Sequence, residues 1–256
     1  MNKLLNILEN TPHHNITHSL LSDYILSLDN SILDGHLTHT EYQPIKDTVE
    51  LKTVGYEALA RFRKSCGSHA DTQSVFDALI GDPVQLLALE FMLKVQQSHS
   101  RPEGFPLYLN IHPVNFSSNL LSLFWKPFFE RHTNIVVEIT ESYTSHHMRE
   151  SHSLMHSLID NGIRFALDDM FAENTIFSPL SFHLSPIIKL DKSVLKTLRT
   201  YSDFKTFLRS ISFLSTKSNK MLILEGIETP CDLKLALECK IPYVQGFLFK
   251  NDFITI

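Results

Sequence analysis

Eight short runs rich in β-branched and aromatic residues recur along the chain, most of them separated by longer stretches of helical periodicity. This alternation limits the fold more than any other feature. The runs are EYQPI (41–45), TVGYEALARF (53–62), LYLNI (107–111), IVVEI (135–139), RFALD (164–168), PIIKL (186–190), MLILE (221–225) and YVQGF (243–247). Between them, SVFDALIGDPVQLLALEFMLKVQQ (74–97) is helical in pattern with a break expected at Pro83. HSLMHSLIDNG (152–162) ends on an Asn-Gly stop signal, and SDFKTFLRSISFLSTK (202–217) is a third helical stretch. Eight strands alternating with helices over 256 residues suggest a (β/α)8 barrel. One connection breaks the pattern. Between Ile45 and Thr53 there is too little chain for a helical crossover, which takes about a dozen residues, so the first two strands are expected to pair as an antiparallel hairpin.

Composition removes several function classes. With 43% hydrophobic and 20% charged residues, a chain of this length can bury a core without disulfides or a structural metal. A net charge of −5 argues against a nucleic-acid polymer or a membrane surface as partner, so an anionic ligand needs local cations or metal ions. Cys66, Cys231 and Cys239 are odd in number and lack CxxC spacing, which argues against a disulfide framework and a zinc site. The N-terminal MNKLLNILENTPHH is too polar and too short in its apolar part for a signal peptide. No apolar run approaches the length of a membrane span. A cytoplasmic location is expected. LLSDYILSL (20–28) carries a helical apolar stripe expected to pack on the barrel. Residues 1–18 are expected to be an extension without assignment and residues 19–256 a single barrel domain, with no cyclase, receiver or DNA-binding domain expected in the remaining length.

Polar residues interrupt the strands in a telling way. Glu57 lies in the second run, and Asn110, Glu138 and Asp168 close or nearly close the next three. Lys189, Glu225 and Gln245 sit late in the last three. In a barrel these C-terminal ends converge on one mouth, where active sites of the fold are built. Carboxylates with an amide oxygen, and no Cys or His among them, form a hard oxygen set suited to Mg²⁺ or Mn²⁺. Adjacent Asp168 and Asp169 could each lean on a different ion, and two ions suit attack of water on a phosphodiester. Lys189 would orient or help activate that water, or steady transition-state charge. The alternative is a set of buried salt bridges, but five acids facing one lysine leave too many buried charges unpaired.

These same segments resemble the EAL domain, the bacterial module that linearises cyclic di-GMP. GYEALARF (55–62) carries Glu57-Ala58-Leu59 and Arg61, and YQPI (42–45) resembles the segment that opens the family's barrel. LNIHP (109–113), VEITES (137–142), ALDDM (166–170), IKLD (188–191), LEGIET (224–229) and VQGF (244–247) follow in family order, from about residue 20 to the C-terminus. The resemblance implies a modified barrel whose first strand is antiparallel. It implies hydrolysis of cyclic di-GMP to linear pGpG with two Mg²⁺ or Mn²⁺ ions. Glu57, Asn110, Glu138, Asp168 and Asp169 would hold the metal. Lys189 would act on the water, with Glu225 supporting the metal site, and Glu57, Lys189 and Glu225 together form the catalytic set. Gln245 would line the pocket and help hold the water on the metal. Arg61 would contact a ligand phosphate and Gln43 the substrate, while Glu141 would anchor the loop after Asp169. A homodimer is also implied.

One segment departs from the family. The loop after the paired aspartates usually carries two glycines, which here are Phe171 and Glu173. If both positions require positive φ, each substitution costs roughly 1–2 kcal/mol. His112, where a serine is common, is a smaller departure. A second reading follows, in which the barrel binds cyclic di-GMP or a protein partner without turnover. The fourteen histidines include His152 and His156 at i,i+4, but no HExxH. His156 flanks a stripe of Met155, Leu158 and Ile159 and is expected on a helix surface. Trp125, within LLSLFWKPFF, is expected in the core or at an interface edge.

Overall fold

The computed structural model describes residues 37–63, 67–79, 81–111, 125–140, 145–173 and 175–256. Its strands are β1 (Leu37–Asp47), β2 (Thr53–Arg63), β3 (His69–Ala70), β4 (Leu107–Asn110) and β5 (Ile135–Thr140). They continue with β6 (Phe165–Met170), β7 (Ile187–Leu190), β8 (Met221–Leu224), β9 (Tyr243–Val244) and β10 (Ile254–Thr255). The helices are α1 (Thr72–Asp77), α2 (Pro83–His99), α3 (Lys126–Arg131) and α4 (Ser145–Asp160), then α5 (Pro179–Leu184), α6 (Ser193–Thr200), α7 (Phe204–Lys217) and α8 (Pro230–Glu238).

Eight strands close a barrel in the order β1-β9-β8-β7-β6-β5-β4-β2, with β2 pairing back to β1. All eight expected runs are in it. β1 lies antiparallel to both of its barrel neighbours, β2 and β9, and the other barrel pairings are parallel. The hairpin between β1 and β2 is shaped by Asp47, whose Oδ1 accepts from the backbone N–H of Val49 and Glu50 at 2.8 Å each. Two short edge strands, β3 on β2 and β10 on β1, lie outside the expected pattern. Two residues each are too few to show a period.

Side chains of a strand alternate between faces, and that period sorts the chain into layers. Inside the barrel, Ile45, Tyr108, Val136, Ala166, Ile187 and Ile223 form an apolar plug, with Tyr243 packed against it. Gly55 is part of this level, paired with Ile45. A Cβ on it would stand 3.0 Å from the Tyr108 ring, so the glycine makes room for that ring. The larger apolar layer lies outside the strands, where Leu107, Leu109, Val137, Phe165, Leu167, Ile188 and Leu222 meet the helices. Trp125 is fully buried there against Phe91 and Phe128, as a core residue. Pro83 opens α2, so the break expected there is present. Among the described residues, no helix is long and apolar enough to cross a membrane.

On α4 the buried stripe is Leu154, Met155 and Leu158, whereas Ile159 is exposed. His156 is exposed, as expected, and His152 has partners: its Nε2 lies 3.2 Å from Ser178 Oγ and 3.0 Å from Ser181 Oγ, linking α4 to α5. The segment 20–28, Cys66, His112 and residues 1–18 lie outside the described residues.

After β8 the chain is pinned by a capping box on α8. Thr229 Oγ1 accepts from Asp232 N, and the buried Asp232 carboxylate accepts from Thr229 N at 2.9 Å. Burial opposes charge on Asp232, but its bonds from Arg199 and Thr229 prevail and hold its pKa below the ordinary value. A depressed folded pKa contributes stability above the unfolded value, about 3.9, that disappears as pH falls through the folded value. Asp232→Asn is therefore expected to lower the thermal midpoint at pH 7, with the gap from the unmodified protein narrowing below about pH 4. A gap equally wide at pH 3 and pH 7 would refute the assignment.

Candidate active site

Two residues above the apolar plug, on the same inward faces, every barrel strand or its C-terminal extension contributes one polar side chain. Stepping from Tyr108, Val136, Ala166, Ile187, Ile223 and Tyr243 gives Asn110, Glu138, Asp168, Lys189, Glu225 and Gln245. Gly55 leads to Glu57. Because β1 runs the other way, Ile45 leads back to Gln43, which stands opposite Glu57. The barrel thus changes from an apolar to a polar level within one strand period.

Lys189 is the hub of that level. Its side chain is 1% exposed, and its Nζ lies 2.5 Å from Glu138 Oε1, 2.6 Å from Glu225 Oε1, 3.1 Å from Asp168 Oδ1 and 3.4 Å from Glu57 Oε2. The Asn110 amide donates to Glu57 Oε1 and Glu138 Oε2, both at 2.8 Å, and Gln245 Nε2 donates to Glu57 Oε2 at 2.7 Å. Asp168, Asp169 and Glu225 bring carboxylate oxygens within 4.8 Å of one another.

Asp169 should by strand alternation face away from Asp168. It does not, because β6 carries a register shift against β7 between Leu167 and Met170, and Asp169 adopts φ 56°. A bulge of this kind re-aims one side chain, and aspartate tolerates the left-handed region better than most residues. The paired aspartates can therefore serve one site.

Charge in this level does not balance. Among the described residues, five carboxylates converge on the Lys189 ammonium. Burial disfavours the charge on Lys94, the other lysine that acts on Glu57 and Glu138, so excess buried negative charge must be neutralised. Burial is the first cause of the upward shifts. It raises Glu138 well above the ordinary range, with Glu57 adding to it, and likewise raises Asp168. Burial also lifts Asp169 to about 6, helped by the charge on Asp168, and Glu225 to about 8. Glu57 is the exception: Lys189, Gln245 and Asn110 outweigh its burial and hold it low. Lys189 is likewise desolvated, yet Asp168 and the other acids around it keep it an ammonium. Protons or metal cations can supply the missing positive charge. The carboxylate oxygens, and the buried Gln245 Oε1, which has no hydrogen-bond partner among the described residues, form a donor set that fits a hard divalent cation.

Arg61 and Gln43 meet at Glu41. Glu41 Oε1 accepts from Arg61 Nη2 at 2.7 Å and from Gln43 Nε2 at 2.9 Å. The sequence reading missed Glu41. The available signal was its place two residues before Gln43, hence on the same face of β1. Glu141 lies outside the described residues.

The glycine-free loop is held by specific contacts. Phe171 has φ 70°, so one of the two suspected positions does adopt the left-handed conformation, whereas Glu173 does not. The Phe171 ring lies 5.4 Å from Phe177 and 5.5 Å from Phe207, and its carbonyl accepts from Ser193 Oγ at 3.2 Å. Ring packing offsets a backbone cost of about 1–2 kcal/mol. Phe171→Ala keeps that cost and loses the ring, while Phe171→Gly loses both. The glycine variant is therefore expected to be the more stable by about 1 kcal/mol in urea unfolding, the reverse of the usual order. The ordinary order, alanine above glycine, would show that the position is unstrained.

Comparison with known proteins accords with this arrangement. The chain is 23% identical over 223 residues to the probable cyclic di-GMP phosphodiesterase PdeN of Escherichia coli K12, covering 82% of this chain and 42% of PdeN. Across five curated relatives it spans between 27% and 43% of their length. Among solved structures, it superposes on the Bacillus subtilis YkuI protein, whose structure with an EAL domain holds substrate cyclic di-GMP and calcium. There the TM-score is 0.67 and the identity 22%, over 88% of this chain and 57% of that one. It also superposes on a manganese and cyclic di-GMP complex of BlrP1 from Klebsiella pneumoniae, with TM-score 0.67 and 17% identity over 96% and 69% of the two chains. The EAL domain family matches residues 26–252. With that match over most of its length, and a barrel whose first strand is antiparallel, this chain belongs to the EAL domain family.

Proposed function

We propose that this protein is a metal-dependent phosphodiesterase that hydrolyses cyclic di-GMP to linear pGpG. The observation that carries the reading is the polar level itself: five convergent carboxylates around buried Lys189, more negative charge than that lysine can balance. Glu57, Asn110, Glu138, Asp168 and Asp169 would hold two divalent ions, Mg²⁺ or Mn²⁺, and Glu225 joins Asp168 and Asp169 in the convergent group. Such ions, when bound, acidify water and balance charge on phosphodiester oxygens. The remaining work falls to the chain. Lys189 Nζ donates to the attacking water and steadies charge on the phosphate. Gln245 orients the same water through its free carbonyl oxygen, while its amide holds Glu57 in place. Arg61 meets a ligand phosphate and Gln43 the substrate at the β1–β2 wall.

The reading extends to location and assembly. Cys231 and Cys239 are unpaired, in keeping with a reducing cytoplasm. Ile176, Phe177, Leu180 and Phe207 are exposed beside the loop after Asp169, an apolar surface suited to a homodimer contact. Glu141, which follows β5, is assigned to anchoring that loop.

A second reading is favoured by Phe171. A strained loop next to Asp169 could leave a receptor that binds cyclic di-GMP without turnover. Incubation of the purified protein with cyclic di-GMP and Mg²⁺ or Mn²⁺, followed by chromatography, separates the two. Linear dinucleotide, lost on chelation with EDTA, is the expected result. Saturable binding without product would establish the receptor, and neither product nor binding would refute both.

A further inference from the structure

Arg61 is anchored at two nitrogens before any ligand arrives. Nη1 donates to the Ala60 carbonyl at 3.3 Å, and Nη2 to Glu41 Oε1 at 2.7 Å. Gln43, itself buried, donates its Nε2 to that same oxygen at 2.9 Å. A carboxylate only accepts, so it dictates which end of the Gln43 amide faces it and leaves the amide oxygen as the group available to a ligand. The three side chains share one face: Gln43 stands opposite Glu57 and Glu41 opposite Leu59, with Arg61 one rung further towards the mouth. Among the described residues, the Glu41 carboxylate bonds to Arg61 and Gln43, the two residues assigned to the substrate, and to none of the acids around Lys189.

We propose that Glu41 is a positioning residue, which fixes the Arg61 guanidinium and the Gln43 amide in the orientation that receives a phosphodiester ligand. This rests on the reading that Arg61 meets a ligand phosphate. The physical argument is preorganisation. An arginine loses much side-chain freedom on binding a phosphate, and a clamp of this kind imposes that loss on folding instead. The clamp carries a counter-effect, since a carboxylate so close to a phosphate site repels it. Glutamine at position 41 would keep an accepting oxygen and remove the repulsion, so the two contributions can be separated.

The test compares the unmodified protein with Glu41→Ala, Glu41→Gln, Arg61→Ala and the Glu41→Ala/Arg61→Ala pair, with thermal midpoints recorded for each. The readouts are KM and kcat for cyclic di-GMP with Mn²⁺, or Kd by calorimetry if binding occurs without turnover. Glu41→Ala is expected to raise KM about tenfold with kcat within about twofold. Glu41→Gln should hold KM within about threefold of the unmodified value, because its amide oxygen still accepts. With Arg61 already removed, losing Glu41 acts through Gln43 alone and should change KM by less than about threefold. An unmoved KM in Glu41→Ala, a fall in kcat alone, or an equal rise in KM with and without Arg61 would overturn the assignment. If the unmodified protein neither turns over nor binds cyclic di-GMP, the functional reading has failed and this inference falls with it. An unmoved KM in an active enzyme overturns the inference alone.

Discussion

Replacing Lys189 by methionine is expected to cut turnover of cyclic di-GMP by about 10³-fold and to destabilise the metal-free protein by about 3–5 kcal/mol. The two losses have different origins. Turnover falls because the donor proposed for the reacting water is gone. Stability falls because Glu57, Glu138, Asp168 and Glu225, all within 3.4 Å of Nζ, lose their common cation while remaining buried. Methionine fills similar volume, so a packing defect is a minor part of the change. Added Mn²⁺ should restore the thermal midpoint, since it neutralises the same oxygens, but it should not restore the rate. A methionine variant retaining more than about a tenth of the turnover would remove Lys189 from the chemistry.

Asp168→Ala should give the opposite sign in stability and a comparable loss in rate. It removes a carboxylate from a level that already has too many, and one whose pKa is raised by burial. Without metal the midpoint should therefore stay level or rise. Turnover should drop by about 10³-fold or more, because Asp168 belongs to the convergent group with Asp169 and Glu225. Stabilisation by Mn²⁺, which scales as RT ln(1 + [L]/Kd) for a ligand of the native state, should largely vanish. Scanning calorimetry with and without Mn²⁺ measures this directly. If Asp168→Ala were destabilised like Lys189→Met, the level would be a balanced salt-bridge network, and the case for metal would be lost.

Much of this could be read from the residues in order. Strand alternation is a local property, so the step from apolar Ala166 to Asp168, or from Ile187 to Lys189, is visible in the linear chain. The antiparallel first hairpin followed from a connection too short for a helix. The short edge strands β3 and β10 could not be read, because their pairing depends on the barrel already being closed. The exposure of Ile159, set within an apolar stripe, depends on which neighbour the helix meets.

The sequence by itself determined which residue seven of the eight strands would present at the mouth, and that one cation would face an excess of acids. That information is carried by a two-residue period and by charge, both fixed along the chain. Only the tertiary structure decided how those side chains meet. Asp169 turns to the side of Asp168 through a bulge against β7, and Phe171 bears a left-handed backbone held by rings from other segments. Glu41 joins Gln43 and Arg61, which come from two different strands. Each depends on contacts between segments distant in sequence, and no local propensity encodes the direction in which a strained backbone points its side chain.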